Sequence, residues 1–293
     1  MVRRERRTIL SSAPPTARSA HTSLPTTPFG GLVSAWRHRD LVRQLVKREV
    51  LGRYRGSMLG VGWSLVHPII MLAIYTFVFS YVFKTRWEGG VGDSKLEFAI
   101  VLFCGMIVFN IFAESFNRSP TLIVAQPSFV KKIVFPLEVL PVVTLLSALF
   151  HAAISFIVLL ALTIAVKGLP PATLVFAPII IAPYLLFCLG VAWFLSALGV
   201  YLRDIGQVAQ VIVTALMFLS PLFYPVSALP EALRPLFLLN PIAYPIEETR
   251  AVVLFGRMPD LRALSLYTAF GFAAMWIGFV IFQRIRRGFA DVI

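Results

Sequence analysis

From residue 56 to residue 83 the chain runs 28 residues without an Asp, Glu, Lys or Arg. A helix needs about 20 apolar residues to cross the hydrocarbon of a bilayer, so this stretch is long enough to span one. The residues just before it have a different pattern. Wound at about 100° per residue, Leu41, Val42, Leu45 and Val46 fall on one arc and Arg43, Gln44, Lys47 and Arg48 on the opposite arc. A helix of that kind is expected to lie along a membrane surface. Gly52, Gly56, Gly60 and Gly62 follow it and supply a hinge into the span.

Composition extends the argument to the whole chain. Of 293 residues, 58% are hydrophobic and only 14% charged, the balance of a membrane protein. A net charge of +13 in a water-soluble chain would point to nucleic acid. Here the cationic residues gather in the connections between apolar runs, which is a topology signal, so no nucleic-acid partner is expected. Cys104 and Cys188 both sit inside apolar runs without ligand spacing. They are expected as buried thiols, with neither a metal site nor a cofactor.

The fold expected is an all-α membrane protein with six transmembrane helices, an N-terminal amphipathic interface helix and a re-entrant helical segment before the last span. Residues 1–30 are basic and rich in Ser, Thr and Pro, without the apolar run of a signal peptide. They are expected to be a disordered tail beside anionic lipid, or a tail with no role. Residues 31–56 form the interface helix region, and residues 57–293 the six-span domain. After the first span, residues 84–97 read as an exposed connection. The second span runs from about 98 to 117, and residues 118–132 read as a short helix between turns set by Pro120 and Pro127. The third and fourth spans cover about 139–166 and 174–201, the latter with Pro178 and Pro183, which neighbouring helices can accommodate. The fifth runs from 205 to about 220. Residues 226–262 are cut by prolines into pieces too short to cross, and the last span covers 263–283.

Six spans put both termini on one side. Of the 27 basic residues, 19 fall on that side and 8 on the other, so the positive-inside rule places the termini in the cytoplasm.

Few residues are placed for chemistry. No glycine is followed by lysine, so a phosphate-binding loop is absent and ATP hydrolysis is not expected on this chain. No acid falls in the middle of a span, where coupled carriers place one. Glu114 stands four residues before Arg118, the favourable order for a helix ion pair. Glu138, between Pro136 and Pro141, has no partner visible in sequence. The four histidines, at 21, 38, 67 and 151, are too scattered to suggest a metal site. Arg203 and Asp204 are the only charges between the fourth and fifth spans and suit a turn at the interface. Glu247, Glu248 and Arg250 are expected to cap short helix ends. Helical spacing puts Tyr75, Phe79 and Phe83 on one face of the first span and Phe109, Phe112 and Phe116 on one face of the second. Rings on such a face can stack on sugars along a conduit or form a packed helix interface, and the spacing satisfies both.

Five separate stretches then carry a family resemblance. They are VKREVLGRYRGSMLGVGWSLVHP, SFVKKIVFPLEVLP, YLRDIGQ, SPLFYPVSALPEALRPLFLLNPIAY and the C-terminal RRGFADVI. Together, over residues 36–293, they resemble the permease subunits of polysaccharide-exporting ABC transporters of the O-antigen, teichoic-acid and capsule type. The resemblance implies a homodimer paired with two copies of a separate ABC ATPase, moving a lipid-linked polysaccharide across the inner membrane. It implies ATPase coupling through the amphipathic helix, with Arg43 and Lys47, and through the first cytoplasmic loop, with Gln126, Phe129, Lys131 and Lys132. Arg203 and Asp204 are the next candidates. It implies an outer mouth around Tyr224, Asn240, Pro241, Glu247 and Glu248. A secondary carrier or an integral-membrane enzyme acting on lipid-linked glycans is the rival expectation. The carrier would require inverted repeats, and none is visible.

Overall fold

The structure, a computed structural model, describes residues 27–78, 95–130, 135–224, 226, 230–231 and 239–293. Every regular element among them is helical. Two helices, α1 (Gly30–Arg37) and α2 (Arg39–Arg53), precede the first apolar helix, α3 (Trp63–Phe77). The region expected as an interface helix is thus two helices that meet at His38, whose Nδ1 lies 2.9 Å from the Ser34 carbonyl oxygen. In α2 the expected face holds: Val42, Leu45 and Val50 are buried, while Arg43, Gln44, Lys47 and Arg48 are exposed.

The long helices follow from the uncharged runs. They are α4 (Lys95–Arg118), α6 (Val139–Lys167), α7 (Ala177–Tyr201) and α10 (Leu261–Ile285). Between α4 and α6 lie a 3-10 turn, Ser119–Thr121, and the one-turn α5 (Pro127–Val130), matching the short helix between turns. Among the described residues five helices can cross a membrane by length and composition, those built on α3, α4, α6, α7 and α10. The expected fifth span is α8 (Ile205–Leu219), with only 15 residues. At 1.5 Å per residue it is about 22 Å long, short of a hydrocarbon core of about 30 Å. The chain turns extended at Ser220, and Pro221 follows, which prevents the helix from continuing.

Helix α9 (Ala243–Leu254) occupies the proline-divided region and has 12 residues, too few to cross. It lies inside the protein, with Ala243, Ile246, Thr249, Arg250, Val252, Val253 and Leu254 all buried. A last turn of helix, α11 (Phe289–Val292), ends the chain.

Helix α4 is the centre of the bundle, buried at every position from Phe98 to Phe112 except the exposed Asn110. Helix α3 is peripheral: only Ser64, Pro68 and Leu72 are buried, and Leu65, Ile69, Ile70, Ile74 and Phe77 are exposed. Helices α7 and α10 meet backbone to backbone. A Cβ on Gly278 would strike the Gly190 carbonyl, and one on Gly190 the backbone of Ala274. Small residues permit such approach where apolar lipid supplies little driving force for association. Trp193 and Phe279 flank the seam with ring centroids 5.0 Å apart. Asp260 caps α10, its Oδ1 accepting from the Arg262 backbone N–H at 2.9 Å.

Candidate functional site

Antiparallel alternation brings the ends of α4, α7 and α10 and the starts of α6 and α8 to one end of the bundle, beside α2. At this α2 end, Glu138 immediately precedes α6 and is 1% exposed. Its Oε1 accepts from Ser34 Oγ at 2.7 Å and its Oε2 from Arg286 Nη1 at 2.6 Å. Trp193 Nε1 donates to the Glu138 carbonyl oxygen at 2.9 Å, and Arg286 Nη2 to that of Phe135 at 3.3 Å. Glu138 therefore ties α1 and the turn after α10 to the start of α6 through its carboxylate, and α7 through its backbone carbonyl. Buried charge is tolerated when paired and hydrogen-bonded in this way.

A second ionic cluster joins α2 to α4 and α6. Arg53 Nη2 donates to Glu114 Oε1, and Arg118 Nη1 lies 3.4 Å from that oxygen and 2.6 Å from Glu49 Oε1. The expected Glu114–Arg118 pair is present, as one edge of a wider network. Glu49 sits on the inner side of α2, where burial raises its carboxyl pKa against the opposing pull of Arg118. His151, on α6, has Nδ1 3.4 Å from Arg53 Nη1 and 3.8 Å from Glu114 Oε2. Beside the network a cavity of about 630 Å³ opens, lined by Arg53, Tyr54, Trp63, His67, Asn110, Glu114, Asn117, His151 and Ser155 among others.

The coupling candidates lie at the same end. Arg48 reaches from α2 to the loop, with Nη2 3.5 Å from Gln126 Oε1 and its guanidinium 5.7 Å from the Phe129 ring centre. Phe129 stacks on Phe135 at 4.2 Å and 10°. Arg43 pairs loosely with Asp40 at 3.9 Å, both exposed, and Lys47 is exposed. Arg203 and Asp204 are exposed in the turn between α7 and α8. Lys131 and Lys132 lie outside the described residues.

Of the aromatic candidates, Tyr75 is half-buried on α3, and Phe79 and Phe83 lie outside the described residues. Phe109 and Phe112 are 2% and 3% exposed, inside the protomer. Phe112 stacks on Phe187 of α7 with centroids 6.1 Å apart and lies 4.8 Å from the half-buried Phe116. Helical spacing identified the shared face; it carried no information on which helix covers it.

The opposite end is organised by α9. Arg250 does not cap a helix end as expected from the sequence: it is 0% exposed. Its Nε donates to the Val101 carbonyl oxygen at 2.9 Å, Nη2 to that of Leu222 at 3.0 Å, and Nη1 to that of Pro221 and to Glu247 Oε1. Burial lowers the Arg250 pKa, and Glu247 opposes that shift. The guanidinium occupies the space a side chain at Gly105 would fill. Asn240 Nδ2 donates to the Leu219 carbonyl oxygen at 3.1 Å and to Ser220 Oγ at 2.9 Å, and Tyr267 Oη to the Pro241 carbonyl oxygen at 2.7 Å. Tyr224 Oη donates to the Phe218 carbonyl oxygen at 2.7 Å. Glu248 is half-buried, and burial raises its pKa.

Sequence reasoning missed Arg53, Glu49 and His151 at one end and Arg250 at the other. A signal existed for Arg250, the last of three charges before the apolar Val252, Val253 and Leu254.

Among the described residues, five membrane-length apolar helices, an amphipathic helix on their flank and ion clusters at one end define a helical multi-span membrane protein. The family model described as ABC-2 type transporter matches residues 40–254, and the chain belongs to that family. It is similar to the O-antigen export system permease protein RfbA of Myxococcus xanthus, 28% identical over 260 residues, covering 88% of this chain and 97% of the relative. A Klebsiella pneumoniae protein of the same name is 24% identical over 256 residues, 87% of this chain and 95% of the relative. The polysialic acid transport protein KpsM of Escherichia coli is 24% identical over 245 residues, 83% of this chain and 92% of the relative.

Proposed function

We propose that the chain is the permease subunit of an ABC transporter exporting a lipid-linked surface polysaccharide, of O-antigen or capsule type, across the inner membrane. The observation that carries this reading is similarity over nearly the full length of two differently named kinds of polysaccharide exporter. Two copies of the chain would enclose the path, and two copies of a separate ATPase would drive it. The same similarity favours export over a secondary carrier or an enzyme acting on lipid-linked glycans.

The physical layout supports a drive from the α2 end. Arg48, Gln126, Phe129 and Phe135 join α2 to the loop between α4 and α6. A push on that loop is therefore shared by the interface helix and by two long helices. Both termini are assigned to the cytoplasm by the 19-to-8 charge division. The α9 region is assigned to the outer mouth, dipping into the outer leaflet without crossing. The conduit wall is assigned to the line of α3 that carries Tyr75, half-buried against the core, with Phe79 and Phe83 at the same spacing in the sequence. Phe109, Phe112 and Phe116 on α4 remain the further candidates, with Phe109 and Phe112 buried inside the protomer and Phe112 against Phe187 of α7.

Deletion of the gene should leave a surface polysaccharide accumulated inside the cell, and restoring the gene should return it to the surface. Normal surface display in the deletion strain would contradict the proposal. In a variant lacking Cys104 and Cys188, a Ser94→Cys label should react with an impermeant reagent applied outside. Reaction from the cytoplasmic side alone would reverse the topology.

A further inference from the structure

The cavity beside Arg53 lies within one protomer, walled by the end of α2, the hinge, α3, α4 and α6. At about 630 Å³ it falls within the ordinary range of small-molecule sites, about 300–1,000 Å³. Two of its lining residues carry a buried polar atom without a partner, His151 Nε2 and Asn117 Oδ1. Buried polar atoms are nearly always satisfied, so such orphans ask for an occupant.

The chemistry of the occupant follows from those atoms. His151 Nδ1 faces the Arg53 guanidinium at 3.4 Å, and a guanidinium only donates. The same Nδ1 lies 3.8 Å from the Glu114 carboxylate, which only accepts, so the tautomer follows the occupant and Nε2 donates or accepts accordingly. The cavity thus offers one unused ring nitrogen, His151 Nε2, and one unused acceptor, Asn117 Oδ1. A phosphate group, accepting only, would leave the Asn117 oxygen unmatched and would meet the Glu114 carboxylate. The nearby cations are already committed, Arg53 to Glu114 and Arg118 to Glu49 and Glu114. An acyl chain would leave both orphans unpaired, at a desolvation cost. A hydroxyl both donates and accepts, and the CH face of a sugar ring can lie on an aromatic such as Trp63, which is 40% exposed on the cavity wall.

We propose that this cavity is a saccharide subsite that holds the lipid-proximal sugar of the substrate before it enters the path between protomers. The inference rests on reading the chain as a glycan exporter and adds a recognition step at its α2 end.

The test measures binding of two probes to the permease–ATPase complex in nanodiscs. One is a prenyl diphosphate carrying a single hexose, and the other is the same prenyl diphosphate without sugar. The glycosylated probe should bind about fivefold more tightly, the factor expected of one net hydrogen bond. Asn117→Leu removes the acceptor and Asn110→Trp fills the space; each should bring the ratio to about one. Ser155→Val, which replaces a lining hydroxyl by bulkier methyl groups farther from the ion cluster, should lower the ratio too. All are read on complexes that keep the ATPase bound. Equal wild-type affinity for the two probes, including the case of a cavity that holds only water, would overturn the subsite and leave the export reading standing. So would a ratio that survives all three substitutions. Failure of the wild-type complex to move full-length glycan into proteoliposomes would overturn the export reading and the subsite with it.

Discussion

Arg286 Nη1 donates to Glu138 Oε2 at 2.6 Å across 148 residues of chain, joining the turn after the last long helix to the start of α6. The same carboxylate holds Ser34 of α1 at 2.7 Å. Because α6 is entered through the loop that carries Phe129, this contact sets the frame against which the loop moves.

Removing one partner of this pair leaves the other charge buried and uncompensated. Arg286→Ala should destabilise the protein by about 3–5 kcal/mol, the range for breaking a buried ion pair. Ser34→Ala should cost about 1 kcal/mol. A double-mutant cycle on thermal unfolding of the purified protein, pairing Arg286→Ala with Glu138→Gln, should show strong coupling. Additive effects would show that the pair contributes nothing beyond its separate parts.

Arg250 serves the opposite end. Arg250→Met keeps much of the volume but leaves the carbonyls of Pro221 and Leu222 without this donor and removes the side-chain donor from that of Val101, which lies within α4. Each buried carbonyl left unpaired costs about 1–3 kcal/mol. Arg250→Lys should rescue little, because a compact ammonium cannot reproduce a planar fork reaching three carbonyls. Detergent-solubilised unfolding of both variants checks this, and near wild-type stability of the lysine variant would count against the fork geometry.

Glu49 carries a pH dependence. Its folded-state pKa is raised above the ordinary 4.5, first by burial and against the opposing charge of Arg118. The folded state then binds its proton more tightly than the unfolded state, so stability falls as pH rises from 4.5 through the raised pKa and levels off above it. Glu49→Gln should flatten the stability profile in that window. An unchanged slope in chemical denaturation across it would remove Glu49 as the source.

The loop and the interface helix should respond differently to charge. Phe129→Asp removes the stack on Phe135 and the contact with Arg48, and it should abolish ATPase docking or uncouple hydrolysis from export. Arg43→Glu with Lys47→Glu alters an exposed face and should weaken assembly gradually, with the loss shrinking as salt rises. Co-purification at two ionic strengths distinguishes the two. Intact docking and coupling in Phe129→Asp would shift the transmission role to the turn at Arg203 and Asp204.

The spans were legible because a membrane helix announces itself by length and by the absence of charge, and α2 because its two faces alternate at helical spacing. The short α9 was legible through its prolines. What escaped was everything decided by contact across the chain. Glu138 showed no partner because Ser34 and Arg286 lie 104 and 148 residues away. Arg250 looked like a cap because three of its partners are backbone carbonyls, which no residue type records. The spacing of Phe109 and Phe112 revealed a shared face, whereas burial by Phe187 depended on where α7 lies. The shortness of α8 was written in Pro221, but an uncharged run continuing past it concealed where the helix stops.

The central claim is that this chain conducts a lipid-linked polysaccharide and that hydrolysis on a separate subunit drives it. Reconstitution of the purified permease with its ATPase, glycan supplied on the ATPase side of proteoliposomes, measures this directly. The account predicts glycan protected inside the vesicles only when both subunits and ATP are present, and none with a hydrolysis-deficient ATPase. Glycan movement by the permease alone, or independent of ATP, would contradict it.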